Sequence, residues 1–307
     1  MRGMIRCMTA FRLFALLFLI SLTNAGVRAA DAPRDVVYST AGGQKLKLDV
    51  YYPSGHEPGK TEARAAVLCI HGGAWRSGRR EDMLPFAFVL VQKGYVCVNI
   101  SYRLFDPNKH PENIWPAQYD DAQRAVRWMR ANAKTLGIDP QRIAAMGGSA
   151  GGHLVALLGT TDTREGAEKA YSEHSSRVNA VVDVFGPTDL TQDFSKLKLG
   201  EKTVQSLVDD FIGTKKPAEQ VKKEQKEASP VFHIDKKTVP FLIVHGDKDN
   251  IVPVEQSRLM ERALKKAELP VTYVELAGEG HGFTKAESVE RFRKETEAFL
   301  EKTVGKK

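Results

Sequence analysis

Cysteine is scarce in this chain of 307 residues: Cys7, Cys69 and Cys97 are the only three. That count leaves no disulfide-built scaffold, and neither Cys69 nor Cys97 is placed like a nucleophile. No stretch reads as a transmembrane helix. The apolar run Phe11–Leu22 is broken by Arg12 and Ser21 and is too short to span a bilayer. There is no internal repeat and no nucleic-acid motif. Lysines in 196–226 are interleaved with Glu201, Asp209, Asp210, Glu219 and Glu224, which describes a solvated mixed surface rather than a stripe that tracks phosphates.

The N-terminal thirty residues stand apart. Arg2, Arg6 and Arg12 precede or enter the apolar run, and small residues follow it to Ala29-Ala30. This is the pattern of a secretory signal peptide, so residues 1–30 are expected to be removed and 31–307 to form the mature domain. The formal charge of the chain is +7; the four arginines of residues 1–30 account for four of these charges, leaving +3. Cys69 and Cys97 then remain, inside the strand-like runs Ala65–Ile70 and Tyr95–Ile100. They read as buried free thiols, with a disulfide left open.

Strand and helix patterns alternate along the rest. Val36–Ser39 and Leu46–Tyr52 flank a Gly42-Gly43 turn and predict a hairpin. Ala65–Ile70, Tyr95–Tyr102, Arg142–Met146, Val178–Phe185, Phe241–His245 and Val271–Leu276 predict further strands. Met83–Lys93, Pro116–Leu136, Ala150–Gly159 and Ser288–Val304 predict helices. The expected fold is α/β, with a mostly parallel central sheet and helices on both faces. Residues 187–235 break the alternation, are rich in lysine and carry three prolines. They predict a small cap-like helical insertion near the site, expected to govern access while leaving the chemistry alone, or else an ordinary surface excursion.

Three short stretches carry chemistry. Gly147-Gly148-Ser149-Ala150-Gly151 is a G-x-S-x-G turn between a strand and a helix, the setting of a nucleophile elbow. Gly147 and Gly151 are expected to permit the sharp turn, with Gly148 relaxing it further. His281 lies between Gly280 and Gly282 after the last strand and is the candidate base; His153, within the nucleophile helix, is its rival. Asp247 and Asp249 compete as the acid. Asp249 is preferred for its greater reach, with Asp247 bracing the turn. His71-Gly72-Gly73-Ala74-Trp75 follows a core strand. There the N–H groups of Gly73 and Ala74, with that of Ala150, are candidates for an oxyanion hole. Trp75 and Trp115 are candidates to line a substrate pocket, with core packing as the alternative.

These motifs, with Ser101-Tyr102-Arg103-Leu104, Gly186-Pro187-Thr188-Asp189-Leu190 and His245-Gly246-Asp247-Lys248-Asp249, resemble the α/β-hydrolase superfamily over about Asp35–Leu300. The resemblance is to its secreted bacterial esterase/lipase branch, similar to feruloyl and acetylxylan esterases and to hormone-sensitive-lipase-like esterases. It implies an α/β-hydrolase fold and a Ser149–His281–Asp249 triad, with no metal and no organic cofactor. It also implies a small-molecule or polysaccharide ester as substrate, with no nucleic-acid partner and no stable membrane insertion. A serine peptidase or formamidase on the same scaffold is the alternative, and a non-catalytic binding protein a remoter one. Ala74 stands where many relatives have a third glycine, and Gly148 where many have Asp or Ser.

The export reading generates one prediction. N-terminal sequencing of protein from its native host should find a start near Ala30 to Pro33; an intact Met1 start in the cytoplasm would contradict it.

Overall fold

The computed structural model describes residues 32–164, 169–213 and 215–305. The signal segment expected at 1–30 lies outside them. The chain opens with β1 (Val36–Ala41) and β2 (Gln44–Tyr51), joined through Gly42 and Gly43 at φ 55° and 72°. Two successive positive φ values make the turn whose twist suits a hairpin, which is why glycines stand there. Then come β3 (Arg64–Ile70), α1 (Leu84–Gln92), β4 (Val96–Ile100), α2 (Ala117–Ala131), α3 (Ala133–Leu136), β5 (Ile138–Gly148) and α4 (Ala150–Thr160). After β6 (Ala180–Val184), the insertion holds β7 (Lys198–Leu199), β8 (Lys202–Thr203), α5 (Val204–Ile212) and α6 (Ala218–Glu227). The chain closes with β9 (Phe241–Gly246), α7 (Glu255–Lys266), β10 (Val271–Leu276) and α8 (Ala286–Val304).

Eight strands form one sheet in the order β1-β2-β4-β3-β5-β6-β9-β10. The β1–β2 and β2–β4 pairs are antiparallel, and every later pair is parallel, as the alternating pattern predicts. Strands β4, β6 and β9 are buried at every position, which explains their largely apolar sequences, interrupted once each by Asn99, Asp183 and His245: a strand covered on both faces has no solvent-facing side. One apolar cluster fills the face carrying α2 and α4, and a second lies under α1 and α8. Cys69 and Cys97 are free thiols buried on the second face.

Three elements differ from the sequence expectation. Strand β5 begins at Ile138 rather than Arg142, because Arg64 pairs with Ile138 across the sheet despite the intervening Pro140. The helix expected over Pro116–Leu136 splits at Asn132, whose ψ of 14° leaves the helical region and whose Nδ2 donates to the Trp128 carbonyl at 2.9 Å. Helix α7 is additional. Its buried positions are Gln256, Ser257, Met260 and Leu264, so polar residues fill the first turn of its inner face and only the second half is apolar.

The insertion expected at 187–235 packs as part of the main body. Phe194, Val204, Val208, Phe211 and Ile212 belong to the same apolar cluster as α2 and α4, whereas α6 buries none of its residues. Gln256 Oε1 accepts both the Thr188 and Asp189 N–H groups at 2.8 Å, tying the start of the insertion to α7. Among the described residues no helix is long and apolar enough to cross a membrane.

Asp183, in the middle of β6, is fully buried. Its Oδ1 accepts the Gly186 N–H at 2.9 Å, and its Oδ2 has no partner among the described residues. Burial pushes its pKa up to about 6. Its folded value therefore lies above its unfolded one, so its contribution to stability is present below about pH 3.8 and is lost as pH rises through about 6. A rise from 3.8 to about 6 corresponds to about 3 kcal/mol. Relative to the wild type, Asp183→Asn should gain roughly 5 °C or more in melting temperature between pH 4 and pH 8. A difference independent of pH in thermal melts would refute this.

Candidate active site

The elbow is built by close packing. A Cβ placed on Gly151 would come within 2.2 Å of the Ile70 carbonyl, and one on Gly147 within 2.5 Å of Gly151. Only glycine lets the start of α4 press against the ends of β3 and β5. Gly147 and Gly151 therefore permit the turn, as expected, but by leaving room rather than by an unusual φ, and the expectation that Gly148 relaxes it needs correction. None of the three has positive φ; the unusual backbone falls on Ser149 itself, at φ 57° and ψ −123°. Such a conformation costs about 1–3 kcal/mol and persists because its surroundings over-determine it. Here the Ser149 N–H donates to the Val184 carbonyl at 2.9 Å, and the Ser149 carbonyl accepts from His153 N at 3.0 Å. Ser149 is only partly buried, at the N-terminus of α4, where unsatisfied N–H groups gather.

The candidate oxyanion loop runs against this turn. A Cβ on Gly72 would lie 3.3 Å from Ser149 Cβ. Gly73, Ala74 and Trp75 all have positive φ, at 112°, 51° and 57°. For the two non-glycine residues that conformation costs about 1–2 kcal/mol each. The Gly73 carbonyl gathers the Arg76 and Ser77 N–H groups and the Ser77 hydroxyl, all within 3.1 Å. Among the described residues the N–H groups of Gly73 and Ala74 make no backbone hydrogen bond, so they remain donors, as does that of Ala150 in the first turn of α4. Below the loop, His71 is buried and stacked on Tyr102 at 4.3 Å, and burial pushes its pKa down to about 4.

His281 and Asp249 meet at the ends of β9 and β10. His281 Nδ1 donates to Asp249 Oδ2 at 2.7 Å. Oδ1 of the same carboxylate accepts the Ile251 and Val252 N–H groups at 2.8 and 3.0 Å. Burial works to raise the Asp249 pKa, but His281 and the hydrogen bonds outweigh it and hold the carboxyl well below the usual range. Phe185, with φ 44° at the end of β6, packs its ring 4.5 Å from that of His281. Since Val184 receives the Ser149 N–H, serine and imidazole flank the same strand end. Among the described residues no hydrogen bond yet joins Ser149 Oγ to His281, and such contacts commonly tighten only around a substrate. Glu279 secures the imidazole loop by accepting the Thr284 and Lys285 N–H groups at 3.0 and 2.8 Å.

The rival residues have other duties. Asp247 Oδ1 accepts the Gly278 N–H at 2.5 Å, bracing the turn after β10. His153 is fully buried and bonded through both ring nitrogens, to the Trp75 indole at 3.2 Å and the Ala228 carbonyl at 2.6 Å. Trp75 and Trp115, candidates for a substrate pocket, are only 4% and 5% exposed. Trp75 stacks on Phe211 at 4.2 Å, and Trp115 on Tyr119 at 5.6 Å, so packing already takes their faces.

One member escaped the sequence reading. His245 Nε2 donates to the Val252 carbonyl at 2.9 Å and to Asp249 Oδ2 at 3.1 Å, while Ser257 Oγ lies 2.7 Å from its Nδ1. Because the Val252 carbonyl can only accept, Nε2 carries a proton, and Asp249 Oδ2 serves two imidazoles. The signal was present, four residues before Asp249, but a histidine inside an apolar strand reads as core. The described residues contain no cluster of His, Cys, Asp and Glu able to hold a metal ion.

A BD-FAE family model matches residues 48–264. Esterase LipQ of Mycobacterium tuberculosis is 32% identical over 265 residues, covering 85% of this chain and 60% of its own length. The chain thus spans little more than half the length of the curated relatives it matches. Among solved structures, a truncated carbohydrate esterase from gut microbiota superposes with a TM-score of 0.72 at 28% identity, covering 90% of this chain and 96% of that one. The butyrate-bound esterase Est2 of Thermogutta terrifontis gives 0.73 at 30% identity, covering 88% and 94%.

The geometry separates the two aspartates. Asp249→Asn should lower kcat on the order of 10³- to 10⁴-fold by misorienting His281, and Asp247→Asn less than about 10-fold. Steady-state kinetics on folded variants decide; a larger loss from Asp247→Asn would reverse the assignment.

Proposed function

The chain belongs to the BD-FAE family, within the α/β-hydrolase esterases, and from that premise we propose that it is a serine carboxylic-ester hydrolase. The observation that carries the reading is the Asp249–His281 bond at the same sheet end as a serine held in a strained elbow. Ser149 Oγ attacks the ester carbonyl as His281 Nε2 takes its proton. The carbonyl π electrons move to oxygen, and the N–H groups of Gly73, Ala74 and Ala150 stabilise the oxyanion. When the tetrahedral adduct collapses, the alkoxide leaves with the proton from His281, and the acyl group stays on Ser149. Water, deprotonated by the same imidazole, then attacks the acyl-enzyme and releases the acid. Asp249 remains ionised throughout and stabilises the imidazolium.

The substrate is a small acyl ester, such as an acetyl or feruloyl group on plant polysaccharide, met outside the cytoplasm. Support comes from the pattern of residues 1–30, from the likeness to a carbohydrate esterase, and from the likeness to an esterase that holds butyrate. The insertion at 187–235 serves as a cap, supported by its place after β6 and before the strand that delivers Asp249.

A panel of p-nitrophenyl esters, acetylated xylan, methyl ferulate and p-nitroanilides tests the reading. The wild type should hydrolyse esters, and Ser149→Ala should lose activity on the order of 10⁴-fold or more while keeping its melting temperature. Turnover of the amides alone would favour the peptidase or formamidase reading. Full ester hydrolysis by a folded Ser149→Ala protein would end the serine mechanism.

A further inference from the structure

His153 is fully buried one turn into α4, and its two ring nitrogens do different work. Nδ1 accepts the indole N–H of Trp75 at 3.2 Å; Nε2–H donates to the Ala228 carbonyl at 2.6 Å. An acceptor on one side and a donor on the other describe a neutral imidazole in a single tautomer. Burial, which pushes its pKa down to about 4, keeps it neutral at pH 7. It has no free nitrogen with which to serve as a base.

Trp75 directly follows the two candidate oxyanion donors, and both it and Ala74 sit at positive φ. A left-handed pair of non-glycine residues holds only if its surroundings leave no alternative. The Phe105 N–H fixes the Trp75 carbonyl at 3.0 Å. The indole is pinned at its nitrogen by His153 and on its face by Phe211 at 4.2 Å. The His153 backbone N–H, in the ordinary helical pattern, donates to the Ser149 carbonyl at 3.0 Å, so the residue that carries the imidazole is fixed to the elbow. One imidazole therefore ties the loop carrying the oxyanion donors to the helix carrying the nucleophile.

We infer that His153 is a positioning residue, setting the oxyanion loop against Ser149 through the indole of Trp75; this rests on the esterase reading above. The same contacts revise the expectation that the insertion only governs access. Ala228 and Phe211 both come from the insertion, and Asp210 beside Phe211 accepts from Arg76 at 2.6 Å. The cap therefore fastens the oxyanion loop, and replacing 196–226 by a linker would remove Phe211 and Asp210 and impair the chemistry itself.

The test uses kcat and KM on a p-nitrophenyl ester, with Ki for a trifluoromethyl ketone whose hemiketal oxyanion needs the same donors. His153→Leu and Trp75→Phe should each lower kcat on the order of 10- to 100-fold, leave KM within about twofold, and weaken the ketone in parallel with kcat. His153→Gln, whose amide can both accept and donate, should recover most of the loss. The double variant Trp75→Phe/His153→Leu should be no worse than the poorer single one, because both remove the same link. If His153→Leu fails to fold, Trp75→Phe decides, since it removes one N–H and keeps a ring in place. Wild-type kcat and ketone affinity in Trp75→Phe, or losses that multiply in the double variant, would overturn the inference while leaving the esterase reading intact. Absence of ester hydrolysis by the wild type would sink both.

Discussion

The close approach of α4 to the ends of β3 and β5 is the constraint from which the site follows. A single Cβ at Gly151 would collide with the Ile70 carbonyl at 2.2 Å, so the helix can start where it does only through glycine. Because the helix starts there, Ser149 must turn at φ 57°, and its side chain stands clear of the sheet. The same contact brings Gly72 against Ser149, so the proposed nucleophile and the proposed oxyanion loop are placed by one packing event. The buried strands β3 and β6 on either side of β5 over-determine the backbone and keep this strain from relaxing.

Around that frame the polar groups are arranged so that each buried charge is answered. Asp249 accepts from two imidazoles and two backbone N–H groups, which lets a buried carboxylate stay ionised and available to His281. Glu279 does similar work for the loop carrying His281. Asp183 is the exception, with one oxygen unpartnered among the described residues beneath α4. The insertion joins this economy of contacts through Phe211, Asp210 and Ala228, and its apolar side is continuous with the main cluster.

Much of this was legible in the sequence, and what was missed has physical causes. Strands such as Phe241–Gly246 announce themselves because burial on both faces selects an apolar run, here Phe241 to Val244. The elbow and the His281 loop were legible because their glycines and polar residues interrupt apolar runs at fixed places. Helix α7 was less legible, because only Met260 and Leu264 among its buried positions are apolar, although its charged outer face keeps the helical period. The role of His245 was hidden by its strand, since sequence shows its neighbours and not the carboxylate its ring reaches. The bond between Trp75 and His153 joins residues 78 apart, and no local pattern reports such a pairing. The tryptophans marked only that something large was buried, and not what it packs against.

If the elbow works as proposed, Ser149 alone among the serines of this chain is an activated nucleophile. The most direct measurement is to treat the folded wild-type protein with a fluorophosphonate and map the adduct by peptide mass spectrometry. A single stoichiometric adduct is expected on the peptide carrying Ser149, absent after denaturation before treatment. No adduct on the folded protein, or an adduct confined to a different residue, would contradict it.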